Sequence, residues 1–398
     1  MAFLSLINFT AHALSNSLDR DIQAHLNHFL KTSQKNEPLS GMSLTITWSE
    51  NPKMIKKNFY AGKISHEANS KPMNSQTLFD IGSITKSYTS ALILQLEAKG
   101  LLNINDPIGN YLPQYPRWKD VPIRKLLNMT SNIPSYSNNP KFIELLESNP
   151  LGEFNDQMIL TFANPDAPIG NETKFLYNNS NYVLSGLIIE AVTKQNFADA
   201  LQTRILDPLK LKNTYYAAGN KWKYINEIIL PRKAHGYLYD ADKKERLDFS
   251  NTNLSWAGAS GAMVSTVDDQ AQWVEALLTG KIFPEAGRNK ALKELMTIVS
   301  IKSGQPLTSV VKNEPLGFGL GVLSYYDNNQ QFWIYMGSST TFRMFYLWKA
   351  CNNLTVLIAM NGKNSDLQKN VQGEENTKKF LLNIYRMVIH SNPQLKCK

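Results

Sequence analysis

The stretch F-D-I-G-S-I-T-K-S-Y-T-S-A-L-I-L-Q-L, from Phe79 to Leu96, limits the fold more than any other part of the chain. Its second half, Ala91 to Leu94 with Leu96, leaves no polar stripe, so a helix here must be wrapped by other elements on all sides. Gly82 followed by Ser83 gives that helix a start, and Gly100 gives it a stop. The 398 residues are enough to surround it, and this length suggests two domains, one inserted into the other.

Periodicity on either side indicates which layers do so. A helix is expected from Leu18 to Thr32, then alternating strands at Met42–Trp48 and Asn58–Gly62, an antiparallel meander behind a covering helix. Past Gly100, turn residues and prolines dominate L-L-N-I-N-D-P-I-G-N-Y-L-P. Helical segments follow, notably Phe142–Glu147 and Asn181–Lys194, as far as about Asn220. From Ala234 short strands return, with a helix at Val267–Leu278, strands at Phe318–Tyr325, Phe332–Tyr335, Thr341–Trp348 and Leu354–Asn361, and a last helix from Thr377 to His390. Sheet at both ends with helices between predicts an α/β fold. Its antiparallel sheet, flanked by helices, spans 18–108 and 235–392, and an inserted, mainly helical domain spans 109–234.

Residues 1–17 are expected to be an export signal or a disordered N-terminus. F-L-S-L-I-N-F-T-A-H-A closes on an A-x-A pattern at Ala11 to Ala13, although no Lys or Arg near Met1 supplies the positive n-region. A periplasmic or secreted location is expected on that basis. No apolar run approaches the roughly 20 residues that span a bilayer.

Composition excludes some functions. At 42% hydrophobic and 19% charged residues, the chain suits a soluble globular protein of enzyme size and not a disordered one. Its net charge of +9 could suit nucleic acid, an anionic cell envelope or acidic substrates. No tight Lys/Arg run with interleaved aromatics appears, so a nucleic-acid partner is not expected. The two cysteines, Cys351 and Cys397, the second almost at the end of the chain, do not make a disulfide framework. His25 and His28 lie three apart on one predicted helical face with Asp21 a turn before them, but no supporting motif accompanies them, and no metal or cofactor is expected.

Ser83 and Lys86, at i and i+3, share a helical face, so the lysine amine can reach the serine hydroxyl. A hydroxyl is a weak nucleophile until a base takes its proton, and a lysine in a dry pocket loses charge readily enough to share that task. The helix N-terminus adds amide donors and positive dipole where an oxyanion would form. A second S-x-x-K, Ser309 to Lys312, runs into N-E-P-L-G, where Pro315 forbids a useful helix. Y-x-N occurs at Tyr136, Tyr177, Tyr224 and Tyr326. Only F-L-Y-N-N-S-N-Y-V-L-S-G-L-I-I-E sets it, at Tyr177 and Asn179, on a loop just before a strongly periodic apolar helix. The nearest approach to a G-x-S-x-G elbow, Gly258 to Ala262, lacks the final glycine.

From about Leu39 to Gly362 the chain resembles the serine β-lactamase and penicillin-binding family, in particular its class C, D-alanyl-D-alanine carboxypeptidase and related esterase branch. The resemblance rests on F-D-I-G-S-I-T-K, V-P-I-R-K-L-L-N-M-T-S-N-I-P, F-L-Y-N-N-S-N-Y-V-L-S-G, L-D-P-L-K-L-K-N-T-Y-Y, G-A-S-G-A-M-V-S-T-V-D-D and F-G-L-G, in that order. It implies a β-lactamase/transpeptidase-like fold, with Ser83 as nucleophile, Lys86 as its proton partner and Tyr177 as general base and acid. It further implies that Asn179 binds a substrate amide, and that the amides of Ser83 and Ser338 form an oxyanion hole.

Two departures from the family bear on activity. Where relatives have K-T-G or H-x-G on the strand lining the site, this chain reads Y-M-G, Tyr335 to Gly337, so a cation for a substrate carboxylate is missing. Arg343 either supplies that charge from the same strand region or is a surface arginine, and Tyr335 either lines the site or packs. Met129 and Asn132 replace the usual His and Gly of a His-Thr-Ser-Gly segment and read as structural. The expected protein is a serine hydrolase that is D-alanyl-D-alanine carboxypeptidase-like or β-lactamase-like. A carboxylesterase and a non-catalytic peptidoglycan-binding protein are the alternatives. Its expected partners are a small molecule or peptide: a peptidoglycan stem peptide, a β-lactam or an ester.

Overall fold

The computed structural model describes residues 2–50, 53–170, 172–219 and 222–397, and their side chains from Ser17 onward except Trp222. The strands, in chain order, are β1 (Gly41–Glu50), β2 (Lys53–Gly62), β3 (Phe79–Asp80), β4 (Thr214–Tyr216), β5 (Tyr237–Asp240), β6 (Glu245–Asp248), β7 (Met263–Ser265), β8 (Ile298–Ser300), β9 (Pro306–Leu307), β10 (Leu316–Phe318), β11 (Leu323–Asp327), β12 (Gln330–Ser338), β13 (Arg343–Lys349), β14 (Leu354–Met360) and β15 (Gly362–Asn364). The helices are α1 (Ala2–Ser33), α2 (Thr85–Ala98), α3 (Ile123–Leu127), α4 (Pro140–Ser148), α5 (Asp156–Thr161), α6 (Asn179–Thr193), α7 (Phe197–Leu201), α8 (Asp207–Leu209), α9 (Trp222–Ile229), α10 (Val267–Leu278), α11 (Arg288–Leu295) and α12 (Leu367–Ser391). Among the described residues, nine strands form one antiparallel sheet in the order β2-β1-β14-β13-β12-β11-β10-β8-β9.

Alternation along these strands creates two cores. On β1, Met42, Leu44, Ile46 and Trp48 face α1 and α12, where they meet Leu18, Ile22 and Leu26 of α1 and Leu381, Ile384 and Val388 of α12. β14 does the same with Val356, Ile358 and Met360, while Leu357 and Ala359 turn to the opposite face. That opposite face, with Tyr335, Met344, Tyr346 and Trp348, packs on the second core, which holds α2. The predicted wrapping of α2 is complete, for every residue from Thr85 to Leu96 is buried. Residues 109–234 contribute α3 to α9 and β4, and their apolar faces share this core.

Several expected elements differ in extent. The strand expected over Phe318–Tyr325 is a hairpin, β10 and β11, because Gly321 takes φ +76 and a Cβ there would lie 2.9 Å from the Lys86 carbonyl. A side chain would be driven into α2. α12 begins ten residues before the expected Thr377, where Asp366 caps it by accepting from the Lys369 amide. That first stretch is largely polar, so hydrophobic periodicity did not mark it. The cysteine expectation is corrected: Cys351 and Cys397 form a disulfide, with Cα atoms 5.8 Å apart. α12 runs back along the sheet and returns the tail to the β13–β14 turn, where Asn352 Nδ2 donates to the Leu395 carbonyl at 2.9 Å.

α1 continues through the leader-like stretch, but the side chains of Ala11 to Ala13 lie outside the described residues. Among the described residues, no helix is long and apolar enough to cross a membrane, and no three His, Cys, Asp or Glu are grouped as for a metal ion.

Candidate active site

Ser83 lies in a single 3-10 turn, Gly82–Ile84, between β3 and α2. β3 is anchored just before it. Asp80 and Lys233 form an enclosed ion pair at 2.7 Å, and Ser339 Oγ approaches Asp80 at 3.4 Å. Gly82 has φ +48, and a Cβ on it would fall 2.5 Å from the Ser338 carbonyl oxygen. From the other side, a Cβ on Gly337 would fall 1.7 Å from the Ile81 carbonyl oxygen. Only two glycines allow the serine turn and β12 to meet this closely.

Lys86, the second residue of α2, is fully buried. Its Nζ donates to Ser83 Oγ at 3.0 Å, to Asn179 Oδ1 at 2.8 Å and to the Ser260 carbonyl at 2.9 Å. Burial pulls its pKa below that of an ordinary lysine, opposed by the nearby Tyr177. Tyr177 Oη sits 2.7 Å from Ser83 Oγ and 3.3 Å from Tyr335 Oη. Tyr177 as a residue is 43% exposed, while its hydroxyl is held between Ser83 and Tyr335. Burial pushes the Tyr177 phenol up. The Lys86 charge and hydrogen bonds from Ser83, Tyr335 and Lys86 outweigh this, and its pKa lies below the ordinary phenol range. Tyr335 moves the other way, held well above that range by burial and by Tyr177. It therefore remains a neutral hydroxyl beside the more acidic one.

Asn179 opens α6, with Asn178 capping that helix through the Asn181 amide. Its Oδ1 is held by Lys86, its Nδ2 donates to Ser137 Oγ at 2.9 Å, and its backbone amide donates to Ser135 Oγ at 3.1 Å. Ser135 and Ser137 went unremarked in the sequence. They flank Tyr136, Ser137 being the middle residue of that Y-x-N copy, and only the folding of that 3-10 turn against α6 brings them here. Met129 and Asn132 hold the same loops. Met129 Sδ accepts from the Asn178 amide at 3.3 Å, and Asn132 Nδ2 donates to the Gly170 carbonyl at 2.8 Å.

β12 brings in the rest. Ser339 N donates to the Phe342 carbonyl at 3.0 Å, so in the alternating ladder the preceding amide, Ser338, points away from β13. β11 pairs no further than Ile334, leaving that edge of β12 to face the serine turn. Ser83, Lys86, Tyr177, Asn179, Tyr335, Gly337 and Ser338 thus gather in one place.

Arg343 does not join them, which corrects both readings of it. It sits opposite Ser338 on the α1/α12 face, fully buried, with its guanidinium on the Glu37 carboxylate and on Asn370 Oδ1 at 3.3 Å. It is neither a surface residue nor a free cation. The charge near β12 is Lys363 on β15, whose Nζ donates to Ser338 Oγ at 2.7 Å and to the Ser339 carbonyl at 3.0 Å. Nothing in G-K-N marks Lys363 in the sequence; only the parallel pairing of β15 with β5 sets it here. A cavity of about 730 Å³ opens beside this cluster, lined by Ser137, Asn179, Phe142, Leu247, Trp256 and Thr340.

This arrangement has counterparts among known proteins. The family model described as Beta-lactamase matches residues 40–375. The chain belongs to the Beta-lactamase family. It is a serine hydrolase of that family, with a mixed α/β fold built on a large antiparallel sheet. Over 224 residues, 56% of this chain, it is 30% identical to the Teichoic acid D-alanine hydrolase of Staphylococcus aureus. The match spans about half, 51%, of that relative's length. The D-amino acid amidase of Ochrobactrum anthropi SV3 superposes with a TM-score of 0.74 at 23% identity, covering 93% of this chain and 99% of the amidase. A penicillin binding protein from Bacillus halodurans gives 0.67 at 20% identity, covering 88% and 99%. These two likenesses speak for the fold.

Proposed function

We propose that the protein hydrolyses D-aminoacyl esters or amides through an acyl-enzyme on Ser83. The observation that carries this reading is the convergence of Tyr177 Oη, at 2.7 Å, and Lys86 Nζ, at 3.0 Å, on Ser83 Oγ. With Lys86 charged, Tyr177 can exist as a phenolate and take the Ser83 proton as Oγ attacks the substrate carbonyl. The amides of Ser83 and Ser338 receive the oxyanion. As the bond to the leaving group breaks, Tyr177 returns the proton to the departing oxygen or nitrogen. Water then attacks the Ser83 ester, giving up a proton to the same tyrosine, which passes it back to Oγ.

The D-aminoacyl preference is supported by the likeness to a Teichoic acid D-alanine hydrolase. In this reading the nucleophile belongs to the sheet domain, 18–108 and 235–392, and Tyr177 to an inserted helical domain, 109–234. A secreted or periplasmic setting is supported by the Cys351–Cys397 disulfide, since such bonds persist in oxidising compartments. The intact set of Ser83, Lys86, Tyr177 and Asn179 speaks against a purely binding role.

Intact mass tests the reading after incubation with a fluorescent penicillin, with a p-nitrophenyl ester and with D-alanine p-nitroanilide. An acyl adduct is expected on the unaltered protein, none on Ser83→Ala, and an unchanged adduct on Ser309→Ala. An adduct surviving on Ser83→Ala would move the nucleophile elsewhere.

A further inference from the structure

Relatives carry a cation on the strand where this chain has Tyr335, and the hydroxyl of Tyr335 is committed to Tyr177. Arg343 is spent on Glu37. Lys363 is left, and its surroundings differ from those of a structural lysine. Its two acceptors, Ser338 Oγ and the Ser339 carbonyl, are neutral. Among the described residues its third N–H has no acceptor, and no carboxylate forms an ion pair with it. Glu37, ahead of β1, and Glu374, on α12, face it without pairing, and Arg343 of β13 faces it as a like charge. Burial first, then Arg343, press it down to about 8, against the pull of Glu374 and Glu37. A cation kept partly enclosed without a counter-ion is poised for an anion from outside.

Its location says where on a substrate that anion lies. Ser338 is the residue whose backbone lies against Gly82, one residue from the Ser83 nucleophile. The edge of β12 beyond Ile334 is not covered by β11, so a substrate laid along it reaches the strand end that Lys363 holds. Thr340 and Ser365, two residues along the chain from Ser338 and from Lys363, line the adjoining cavity.

We propose that Lys363 determines substrate choice by binding, together with Ser338, an anionic group carried within a few atoms of the reacting carbonyl, either a carboxylate or a phosphate. The proposal rests on Ser83 being the acylated residue. The family's strand cation is in effect replaced here by one from β15, and neutral substrates gain nothing from it.

Two matched substrate pairs test this. The first is N-benzoyl-D-alanyl thioglycolate against its thioglycolamide, and the second is the D-alanyl ester of glycerol phosphate against that of glycerol. In at least one pair kcat/KM should favour the anionic member roughly ten- to a hundredfold, as a charge-assisted hydrogen bond provides. The favoured pair identifies the anion as carboxylate or phosphate. In Lys363→Met the ratio should collapse toward one, and in Lys363→Arg it should largely return. The wild-type ratio should also fall as pH rises through about 8, where the ammonium is lost.

A wild-type ratio near one in both pairs overturns the proposal. So do equal losses on both members in Lys363→Met, which would make Lys363 only a clamp on β12. If no member is turned over at all, the Ser83 reading fails separately. Lys363 is then judged by calorimetry of the same compounds with Ser83→Ala protein: tighter binding of an anionic member, lost in the Ser83→Ala/Lys363→Met double variant, supports the proposal, and equal binding overturns it.

Discussion

Each N–H of the enclosed Lys86 has an acceptor, in Ser83, Asn179 and the Ser260 carbonyl, and these favour its charged form. Tyr177 is the group that gains from that charge. The two therefore titrate as a pair, and neither pKa belongs to one residue alone. Lys86→Met and Tyr177→Phe should each lower kcat roughly a hundred- to ten-thousandfold. The double variant should cost little more than either single one, because members of one proton-transfer unit are not additive. kcat/KM of the unaltered protein should rise with pH as the pair loses a proton, with a midpoint below the roughly 10 of a free phenol. That rise should vanish in Tyr177→Phe, and clean additivity in kcat would break the pairing. That Ser83, Lys86, Tyr177 and Asn179 come together was legible in the sequence because S-x-x-K and Y-x-N have fixed local settings. Arg343 was misread because strand alternation, not sequence distance from Tyr335, decides which face a residue takes. Lys363 was missed because its contact with Ser338 comes from the packing of β15, which no local pattern records.

Elements meet at the site through backbone rather than side chains. β12 and the serine turn touch across Gly82 and Gly337, so the amides of Ser83 and Ser338 are set by how closely two pieces of main chain can approach. Gly337→Ala places a carbon where the Ile81 carbonyl oxygen already is and must push β12 outward. Moving one oxyanion donor in this way should lower kcat on the order of a hundred- to a thousandfold. Gly170→Ala, where a Cβ meets nothing within 4 Å, serves as the control and should leave kcat unchanged. An active Gly337→Ala enzyme would show that the strand can yield without loss. Strand and helix interiors were readable from periodicity; Val267–Leu278 coincides with α10. The misreadings came where a glycine broke a strand between β10 and β11, and where the polar start of α12 carried no apolar signal.

For the molecule as a whole, the two ends of the chain close the same core. α1 and α12 pack on one sheet face, and the Cys351–Cys397 bond ties the tail after α12 to the β13–β14 turn. Replacing both cysteines by serine should lower unfolding free energy by about 2–4 kcal/mol in chemical denaturation, with activity at low temperature retained. An unchanged denaturation midpoint would mean that packing alone holds the tail. The sheet imposes a further condition on synthesis. β1 has β14 as a neighbour, and Asn361 accepts from the Ser40 amide across a sequence separation of 321 residues. A nascent chain holding β1 and β2 has no partner for the inner edge of β1 until nearly all of the polypeptide has left the ribosome. The unfinished protein therefore carries an unpaired strand edge until β14 is made, a state that favours escort by a holding chaperone.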